Sequence, residues 1–556
     1  ISARRTYLDL ITQPFLTLMS QSISGESVRA GYYFYDLNAK INHKFSDKSR
    51  FYASAYTGRD KAYANLISEN SWYQEKYESR FNNHLQWGNL TTMMRYNYQF
   101  NPKLFANATA TYSRYQFDVG MEYIDRYSYL DSIDESRYSF LYLSGIDDWG
   151  GKIDFDYLPS PNHYIRFGFG NTYHTFRPGV NSMTMANNEL SADTTYGAGN
   201  KYAHEIHAYF EDDMKLTRRL KVNAGLYYTE FWVDDTTYRS LQPRLSINFL
   251  LAPNFSYKLS YSGMAQFLHL LTNGTIGLPT DLWVPVTSSV PPIFANQLAS
   301  GFAYTLLDEY EFSVEGYYKR MHNLIEYKDG ASFMGSAENW DRKIEVGNGE
   351  AFGVEFFLQK KAGQLSGWLG YTLAWSNRQF DELNFGRWFP YKYDRRHDVS
   401  LALVYEYPKT FGKSDWKLDF GLTWVYGTGN AISLPTSSYN ALSLTSSFYG
   451  GYDPYYPDPY GYNPNVVEID NYENRNDFRE PAYHRMDFSI NFNRQLNGWE
   501  DGWNFSVYNV YNRMNPFYLY FQDEYVQINN QWVSMRSLKQ ISLFPLIPSI
   551  SYHFKF

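Results

Sequence analysis

The 556-residue sequence predicts an all-β fold, a transmembrane antiparallel β-barrel with about twenty strands. Three features support this prediction. Side chains alternate between apolar and polar along most segments, short and long connections take turns, and aromatic residues make up 20% of the chain. Tyr and Trp are enriched where proteins meet the membrane–water interface. The 55 Tyr and 14 Trp are therefore typical of a membrane wall rather than of one soluble core.

The alternation is clearest at the end of the chain. Residues 550–556 place Tyr552, Phe554 and Phe556 on one parity and polar residues on the other. Successive strand side chains point to opposite faces, so one face is apolar and the other polar. A charge facing lipid at mid-membrane costs about 2 to 4 kcal/mol, which explains why Lys and Asp keep to one parity. The same pattern recurs in segments 220–226, 255–261, 416–424 and 486–492.

The connections between the predicted strands fall into two classes that alternate along the chain, starting from a first strand over residues 1–11. Tight periplasmic turns and long outer loops produce this alternation in transmembrane barrels. The whole chain, 1–556, is therefore predicted to be one barrel, whose largest extracellular loop is 430–483. The short connections are 46–49, 101–103, 159–163, 217–219, 252–254, 307–310, 362–365, 408–416 and 495–502. The long ones are 12–31, 60–82, 121–140, 176–202, 234–240, 268–298, 327–349, 380–397, 430–483 and 515–540.

Composition excludes several classes of function. The chain has no Cys, which removes disulfides, thiol catalysis and Cys-ligated metals. A net charge of −8 and a pI near 5.8 argue against a nucleic-acid partner, because phosphate binding needs a basic surface. The sequence contains no nucleophile elbow, zinc-protease motif or phosphate-binding loop, so no catalytic residues and no enzyme activity are predicted. No cofactor is predicted either.

Six strings of residues, in this order along the chain, resemble the barrel of TonB-dependent receptors, the plugged outer-membrane transporters of Gram-negative bacteria. Each string alone is a weak signal, but together they cover the chain from end to end. The strings are 4–10, 35–42, 278–287, 389–398, 483–487 and 506–517.

The resemblance implies a barrel of the 22-strand type in the cell outer membrane. The string at 4–10 resembles the third strand of the family, so the plug domain and the first two strands are expected to be absent from this chain. Outer-membrane lipid is an implied partner, and so is TonB, acting through the plug. The implied function is energised uptake of a scarce solute, which could be a sugar, a peptide or a metal chelate.

A second interpretation remains open. The chain could be a non-transporting barrel subunit of a larger outer-membrane complex for protein insertion, secretion or surface-lipoprotein assembly. A surface lipoprotein or other complex subunits would then be its partners.

Charged side chains cluster in one short segment after a predicted outer loop. Asp394, Arg395, Arg396, His397 and Asp398 place two carboxylates, two guanidinium groups and an imidazole side by side. Guanidinium groups bind anions in a bidentate manner, so the cluster could hold an anionic ligand. Alternatively, the carboxylates neutralise the arginines and the network pins the loop to the wall.

Three tryptophans in or near outer loops are also candidate ligand contacts. Trp283, Trp340 and Trp388 could stack on sugar rings or aromatic cargo, or could anchor the protein at the membrane interface. Loop carboxylates could bind Ca²⁺, but their spacing is not that of an EF-hand, so no metal site is predicted. These carboxylates are Asp453, Asp458, Asp470 and Asp477.

Overall fold

The structure is a computed structural model. It describes residues 1–7, 9–10, 13–14, 16, 27–130, 132–187, 191–197, 199–272, 282–329, 331, 339–410, 416–442, 466–496, 498–528 and 531–556. These residues are almost all in antiparallel strands, with short 3₁₀ turns at Trp340–Arg342 and Asn384–Gly386. Within the described ranges, no helix combines the length and the apolar character needed to cross a membrane.

The strands have the following bounds, in chain order. They are β1 (Ser2–Arg5), β2 (Ser27–Ser46), β3 (Ser49–Trp72), β4 (Glu75–Asn101), β5 (Leu104–Tyr129), β6 (Ser132–Ser160), β7 (His163–Ala186), β8 (Ser191–Gly197), β9 (Lys201–Lys215), β10 (Leu220–Val233), β11 (Thr236–Ala252), β12 (Phe255–Gln266), β13 (Leu268–Leu271), β14 (Leu282–Pro285), β15 (Ile293–Leu306), β16 (Tyr310–Tyr327), β17 (Ile344–Lys360), β18 (Leu365–Gln379), β19 (Phe389–Pro390), β20 (His397–Glu406), β21 (Lys417–Gly427), β22 (Ala431–Ile432), β23 (Ser437–Leu442), β24 (Val466–Asn471), β25 (Phe478–Arg479), β26 (Tyr483–Leu496), β27 (Trp499–Tyr508), β28 (Tyr518–Ile528), β29 (Gln531–Ile541) and β30 (Ile547–Lys555).

One large antiparallel sheet contains 22 of the strands in the described part of the chain. Two of the 22 are short: β8 pairs with one end of β7, and β19 contributes two residues beside β18. The prediction of about twenty strands is confirmed. Among the described residues, the connections contain four further ladders of two strands each. They are β13–β14, β22–β25, β23–β24 and β28–β29.

The chain divides into two compact units. Unit 1 comprises Ile1–Phe302 and Lys319–Asn348, and unit 2 comprises Ala303–Tyr318 and Gly349–Phe556. Consecutive long strands pair in each unit, as β2 with β3 in unit 1 and β20 with β21 in unit 2. The order of strands in each unit therefore follows the order of the sequence.

The register separates the two parities of side chains as the sequence predicts. Leu245 lies opposite Ala224 on one neighbouring strand and Tyr261 on the other, while Arg244 lies opposite Gly225 and Ser262. Leu245 and Tyr261 are exposed although they are large and apolar. We call the side of the sheet that carries Leu245 the apolar face and the side that carries Arg244 the charged face. A continuous exposed apolar face is typical of a surface that contacts lipid or another protein.

Several predicted loops are in fact strand. Segments 60–82 and 121–140 continue as strand: β3 and β4 are joined by a turn at 73–74, while β5 ends at Tyr129 and β6 begins at Ser132. Two predicted connections, 234–240 and 495–502, are likewise too long, because β11 begins at Thr236 after a turn at 234–235, and β26 ends at Leu496 while β27 begins at Trp499. These strand extensions carry polar side chains on both faces, so the alternation of apolar and polar residues is lost there. Cross-strand ion pairs such as Arg126–Glu135 (2.8 Å) still stabilise the pairing of the strands.

The first strand is shorter than predicted. β1 ends at Arg5, instead of running to residue 11. The guanidinium of Arg5 then lies 3.4 Å from the carboxylate of Asp9, four residues further on. This spacing suits a turn of helix rather than an extended chain, whose residues i and i+4 lie too far apart for such a pair.

A stretch between β12 and β15 folds against the charged face in unit 1. Its described residues, 267–272 and 282–290, include the β13–β14 ladder, and we call them the strap. The strap contributes apolar side chains to two buried clusters. The first cluster contains Phe117, Tyr142, Leu271, Leu282, Val284, Val290, Ile325, Tyr327, Trp340 and Ile344. The second contains Ile146, Phe176, Ala203, Phe231, Val233, Phe267 and Val286.

Candidate functional site

The charged segment 394–398 lies in unit 2, between β19 and the start of β20. Asp394 is at its centre and is only 1% exposed. The backbone N–H of Ser376 donates to its Oδ1 at 2.6 Å, and Arg396 Nη2 lies 3.4 Å from its Oδ2. Arg479 donates to both the Asp394 carboxylate and the Asp394 backbone carbonyl. Asp394 therefore holds together three stretches of chain that are far apart in sequence.

Backbone and side-chain hydrogen bonds bring these stretches into position. The N–H of Asp394 donates to the carbonyl of Tyr391 (2.8 Å), which forms a tight turn after β19. The hydroxyl of Thr428 accepts from the N–H groups of Arg396 (2.7 Å) and His397 (3.1 Å). Asn430 accepts from Arg395 Nε at 3.2 Å and donates to Glu480 Oε2 at 3.0 Å. The segment is thus tied to residues 428–430 and 479–480.

Burial shifts two titratable groups of this cluster. It lowers the pKa of Arg396, against the opposing effect of Asp394, and the guanidinium carbon lies 4.3 Å from the centre of the Trp375 ring. Burial also raises the pKa of Glu480, although Asn430 and Arg395 favour its ionised form. Desolvation disfavours the charged form of both side chains. The cluster is therefore stable only while each charge keeps its ion-pair or hydrogen-bond partners.

The structure distinguishes two groups among the five predicted residues. Asp394 and Arg396 belong to the buried network, which agrees with the alternative that the cluster pins a loop to the wall. Arg395 and Asp398 are about half exposed and lie 3.8 Å apart, and His397 Nδ1 lies 3.0 Å from the Tyr371 hydroxyl. Ligand binding by these three residues stays a prediction. Arg479, Glu480 and Asn430 were missed, because no local sequence pattern links them to Asp394.

Gly429 provides a test of this packing. A Cβ at this position would overlap the backbone carbonyl of Glu480, which cannot move without separating β22 from β25. We expect Gly429→Ala to destabilise the cluster by about 1 to 3 kcal/mol, as overpacking does elsewhere. The matched control is Gly427→Ala, whose Cβ would meet the flexible side chain of Arg395 at 3.3 Å. Faster hydrogen exchange in 428–433 and 478–480 for Gly429→Ala alone is the expected result, and equal exchange would contradict it.

The three candidate tryptophans have different surroundings. Trp388, in unit 2, is exposed and presents its ring to the surface. Trp283 and Trp340 both lie in unit 1, Trp283 within β14 of the strap and Trp340 in the 3₁₀ turn that contacts it. Trp340 is buried in the first apolar cluster, and Trp283 packs against the second. Stacking on a ligand stays a prediction for Trp388, which is exposed, and for Trp283, which is partly buried, whereas Trp340 is buried.

Polar contacts fix the strap at defined points. The Tyr238 hydroxyl donates to the Thr287 carbonyl at 2.6 Å, and His269 Nε2 lies 3.1 Å from the Pro291 carbonyl. Burial lowers the pKa of His269 to about 4, so the imidazole is neutral at neutral pH and its Nε2–H can donate to Pro291. Sequence reasoning treated the region as an outer loop and missed that it packs against the charged face.

The structure offers no support for a metal site in the part of the chain that it describes. No group of three or more His, Asp or Glu side chains there could hold a metal ion. Of the loop carboxylates considered above, Asp470 lies 3.3 Å from Arg536, while Asp453 and Asp458 lie outside the described residues.

Three solved structures are similar to this chain over most of its length. The ferripyoverdine receptor of the outer membrane of Pseudomonas aeruginosa, bound to ferripyoverdine, is 11% identical with a TM-score of 0.51, covering 95% of this chain and 71% of that one. The copper transporter OprC is 11% identical with a TM-score of 0.51, covering 88% and 74%. BauA, the ferric preacinetobactin receptor from Acinetobacter baumannii, is 8% identical with a TM-score of 0.50, covering 95% and 78%. At such identities the similarity shows the fold alone.

The sequence itself gives the family. No curated protein shows a significant match to it. A family profile described as "TonB dependent receptor-like, beta-barrel" matches residues 24–513. The profile covers most of the chain, and it agrees with the large antiparallel sheet and with the folds of the solved structures. The predicted fold class is confirmed, and the chain belongs to the TonB-dependent receptor-like β-barrel family.

Proposed function

We propose that the protein acts in the outer membrane of a Gram-negative bacterium as a receptor that takes up a scarce solute with energy supplied through TonB. The strap is the observation that carries the proposal. In unit 1 it packs against the charged face of the sheet, the face that lines the passage in a barrel whose apolar face meets lipid. An element on that face can narrow a passage and respond to what enters it. TonB would act through a plug domain of the kind the family carries.

Which of the two faces of the sheet contacts lipid can be tested directly. Leu245→Lys would place a charge on the apolar face, where lipid contact makes it cost about 2 to 4 kcal/mol near the bilayer midplane. Ser246→Lys, on the charged face of the same strand, is the matched control. We expect only Leu245→Lys to reduce the folding yield into phospholipid vesicles, measured by the shift of the folded band on an unheated gel. Equal yields would exclude lipid contact at Leu245.

The class of solute follows from the exposed groups. Trp388, Arg395, His397 and Asp398 offer an aromatic ring, a cation, an imidazole and a carboxylate on the surface of unit 2. Such a set suits a sugar, a peptide or a metal chelate, all of which combine flat or apolar parts with charge. The similar structures include receptors for ferripyoverdine and ferric preacinetobactin and a copper transporter, which makes metal chelates the first compounds to test.

Uptake in the native host tests the function. A strain lacking the gene should accumulate less of one compound from a panel of labelled ferric chelates, copper, oligosaccharides and peptides, and loss of TonB should produce the same defect. Reintroducing the full-length gene should restore uptake. If the deletion affects no compound and the protein co-purifies at fixed stoichiometry with other envelope proteins, the alternative holds, namely a barrel subunit of a larger outer-membrane complex.

A further inference from the structure

A groove opens in unit 2, on the side of β26, β27 and β30 that carries Phe492, Phe505 and Ile550. Its volume is about 500 Å³, within the range of typical ligand pockets. The register places Phe492 opposite Trp503, and Phe505 opposite Ile550, so three strands form its floor. Trp416, just before β21, forms a wall. All five lining side chains are apolar or aromatic.

A charge pair lies at the rim of the groove. Arg494 follows Phe492 on the same face of β26, and its guanidinium carbon lies 4.4 Å from the centre of the Trp416 ring. Its Nε and Nη2 donate to the two carboxylate oxygens of Asp501 at 2.9 and 2.8 Å. The centre of the Trp499 ring lies 6.0 Å from the same guanidinium carbon. The rim therefore carries one cation and one anion, and two indole rings lie near the cation.

The chemistry of the groove identifies its occupant. A lining whose surface is almost entirely apolar selects an alkyl chain, and an ion pair with no net charge suits a headgroup that carries both a phosphate and an ammonium group. The same side of β30 carries the exposed rings of Tyr552 and Phe554, and in the proposed function such an exposed apolar side contacts lipid. The groove lies beside the turn between β26 and β27, at the end that the short connections assign to the periplasm. The leaflet on that side is made of phospholipid.

We infer that this groove binds one acyl chain of a phospholipid, whose headgroup lies beside Arg494 and Asp501. This inference rests on the proposed function in the membrane. It concerns one phospholipid molecule bound per protein chain, as distinct from the lipids that surround every membrane protein. The indole rings of Trp416 and Trp499 would then lie at the level of the headgroup, where Trp is favoured.

The test compares two variants that each introduce a Trp. Ile550→Trp fills the groove, because Ile550 lines it and is 61% exposed. Phe169→Trp is the matched control, because it places the same ring at a residue of β7 that is 58% exposed on the apolar face and lies in unit 1, away from both the groove and its rim. The full chain is purified in mild detergent, stripped of lipid and titrated with dipalmitoyl phosphatidylethanolamine. Native mass spectrometry then counts the lipids that remain bound.

We expect one tightly bound lipid in the unsubstituted protein and in Phe169→Trp, and at least tenfold weaker binding in Ile550→Trp. Glycerophosphoethanolamine, which has the headgroup but no acyl chains, should not compete. Equal binding by both variants, or binding of lipopolysaccharide but not of phospholipid, would overturn the inference. The readout is independent of transport: a bound lipid without any uptake activity would count against the proposed function alone, and uptake without a bound lipid against this inference alone.

Discussion

Replacing Phe231 by Ala should detach the strap from the wall. The Phe231 ring is fully buried and lies parallel to the ring of Phe267, with centroids 5.2 Å apart and an interplanar angle of 8°. Val286, on the other part of the strap, belongs to the same cluster. Truncating a buried Phe costs about 3 to 5 kcal/mol, and here most of that cost falls on contacts between strap and sheet. The polar contacts of Thr287 and His269 cannot compensate for such a loss.

Hydrogen exchange measured by mass spectrometry locates the effect. Peptides covering 267–272 and 282–290 should exchange at least tenfold faster in Phe231→Ala, while peptides from β10 keep most of their protection. Trp232→Ala is the matched control, because Trp232 is the next residue on β10, is 44% exposed and points to the opposite face. If Trp232→Ala loosens the strap as much as Phe231→Ala, then the strap is not held by the charged face, and the proposal loses its main support.

The second large effect is expected for Asp394→Asn. This substitution keeps the shape of the side chain but removes the carboxylate charge that compensates Arg479 and Arg396. Asp394 is 1% exposed, and the two arginine side chains are partly buried. Removing one partner of a buried ion pair typically costs about 3 to 5 kcal/mol, because the other charge is left without compensation. We expect increased protease cleavage in segments 389–398 and 475–480, and earlier loss of the folded band on heating in detergent.

Two further variants test whether the effect of Asp394→Asn comes from its buried ion pair with Arg479. Asp398→Asn lies four residues away, and its exposed partner Arg395 is 3.8 Å from the carboxylate, so an effect of about 0 to 1 kcal/mol is expected. Combining Asp394→Asn with Arg479→Gln should restore part of the lost stability, since the second change removes the uncompensated cation. A double variant as unstable as the sum of the two single ones would show that the pair is not coupled.

Much of the fold could be read from alternation alone. Residues such as Leu245 and Arg244 keep their parity because a strand offers its side chains only two directions, and a charge on the wrong face is costly. The turns at 47–48, 102–103 and 161–162 also lie where the sequence predicts them. Alternation failed where both faces are polar, as in 60–82 and 121–140. There neither parity is constrained by lipid, so strand and loop look alike in sequence.

The candidate site was only partly predictable. The segment 394–398 attracts notice as a cluster of charges, but which of its members are buried depends on Arg479, 85 residues away from Asp394. Trp283 and Trp340 were grouped with exposed loop aromatics, yet Trp340 is buried and Trp283 belongs to the strap. A residue in a long connection has no periodic pattern to reveal which surface covers it.

The sequence by itself determined the class of the protein: an antiparallel β-structure of the TonB-dependent receptor family, with its apolar and charged parities and the positions of its tight turns. These are local properties, set by the two-residue repeat of a strand and by the cost of a misplaced charge. Only the tertiary structure decided that the strap lies on the charged face and that Asp394 joins three separate stretches. Both depend on contacts between residues that are distant in sequence. Bringing such residues together costs conformational entropy, and that cost is offset only when the surrounding strands have formed.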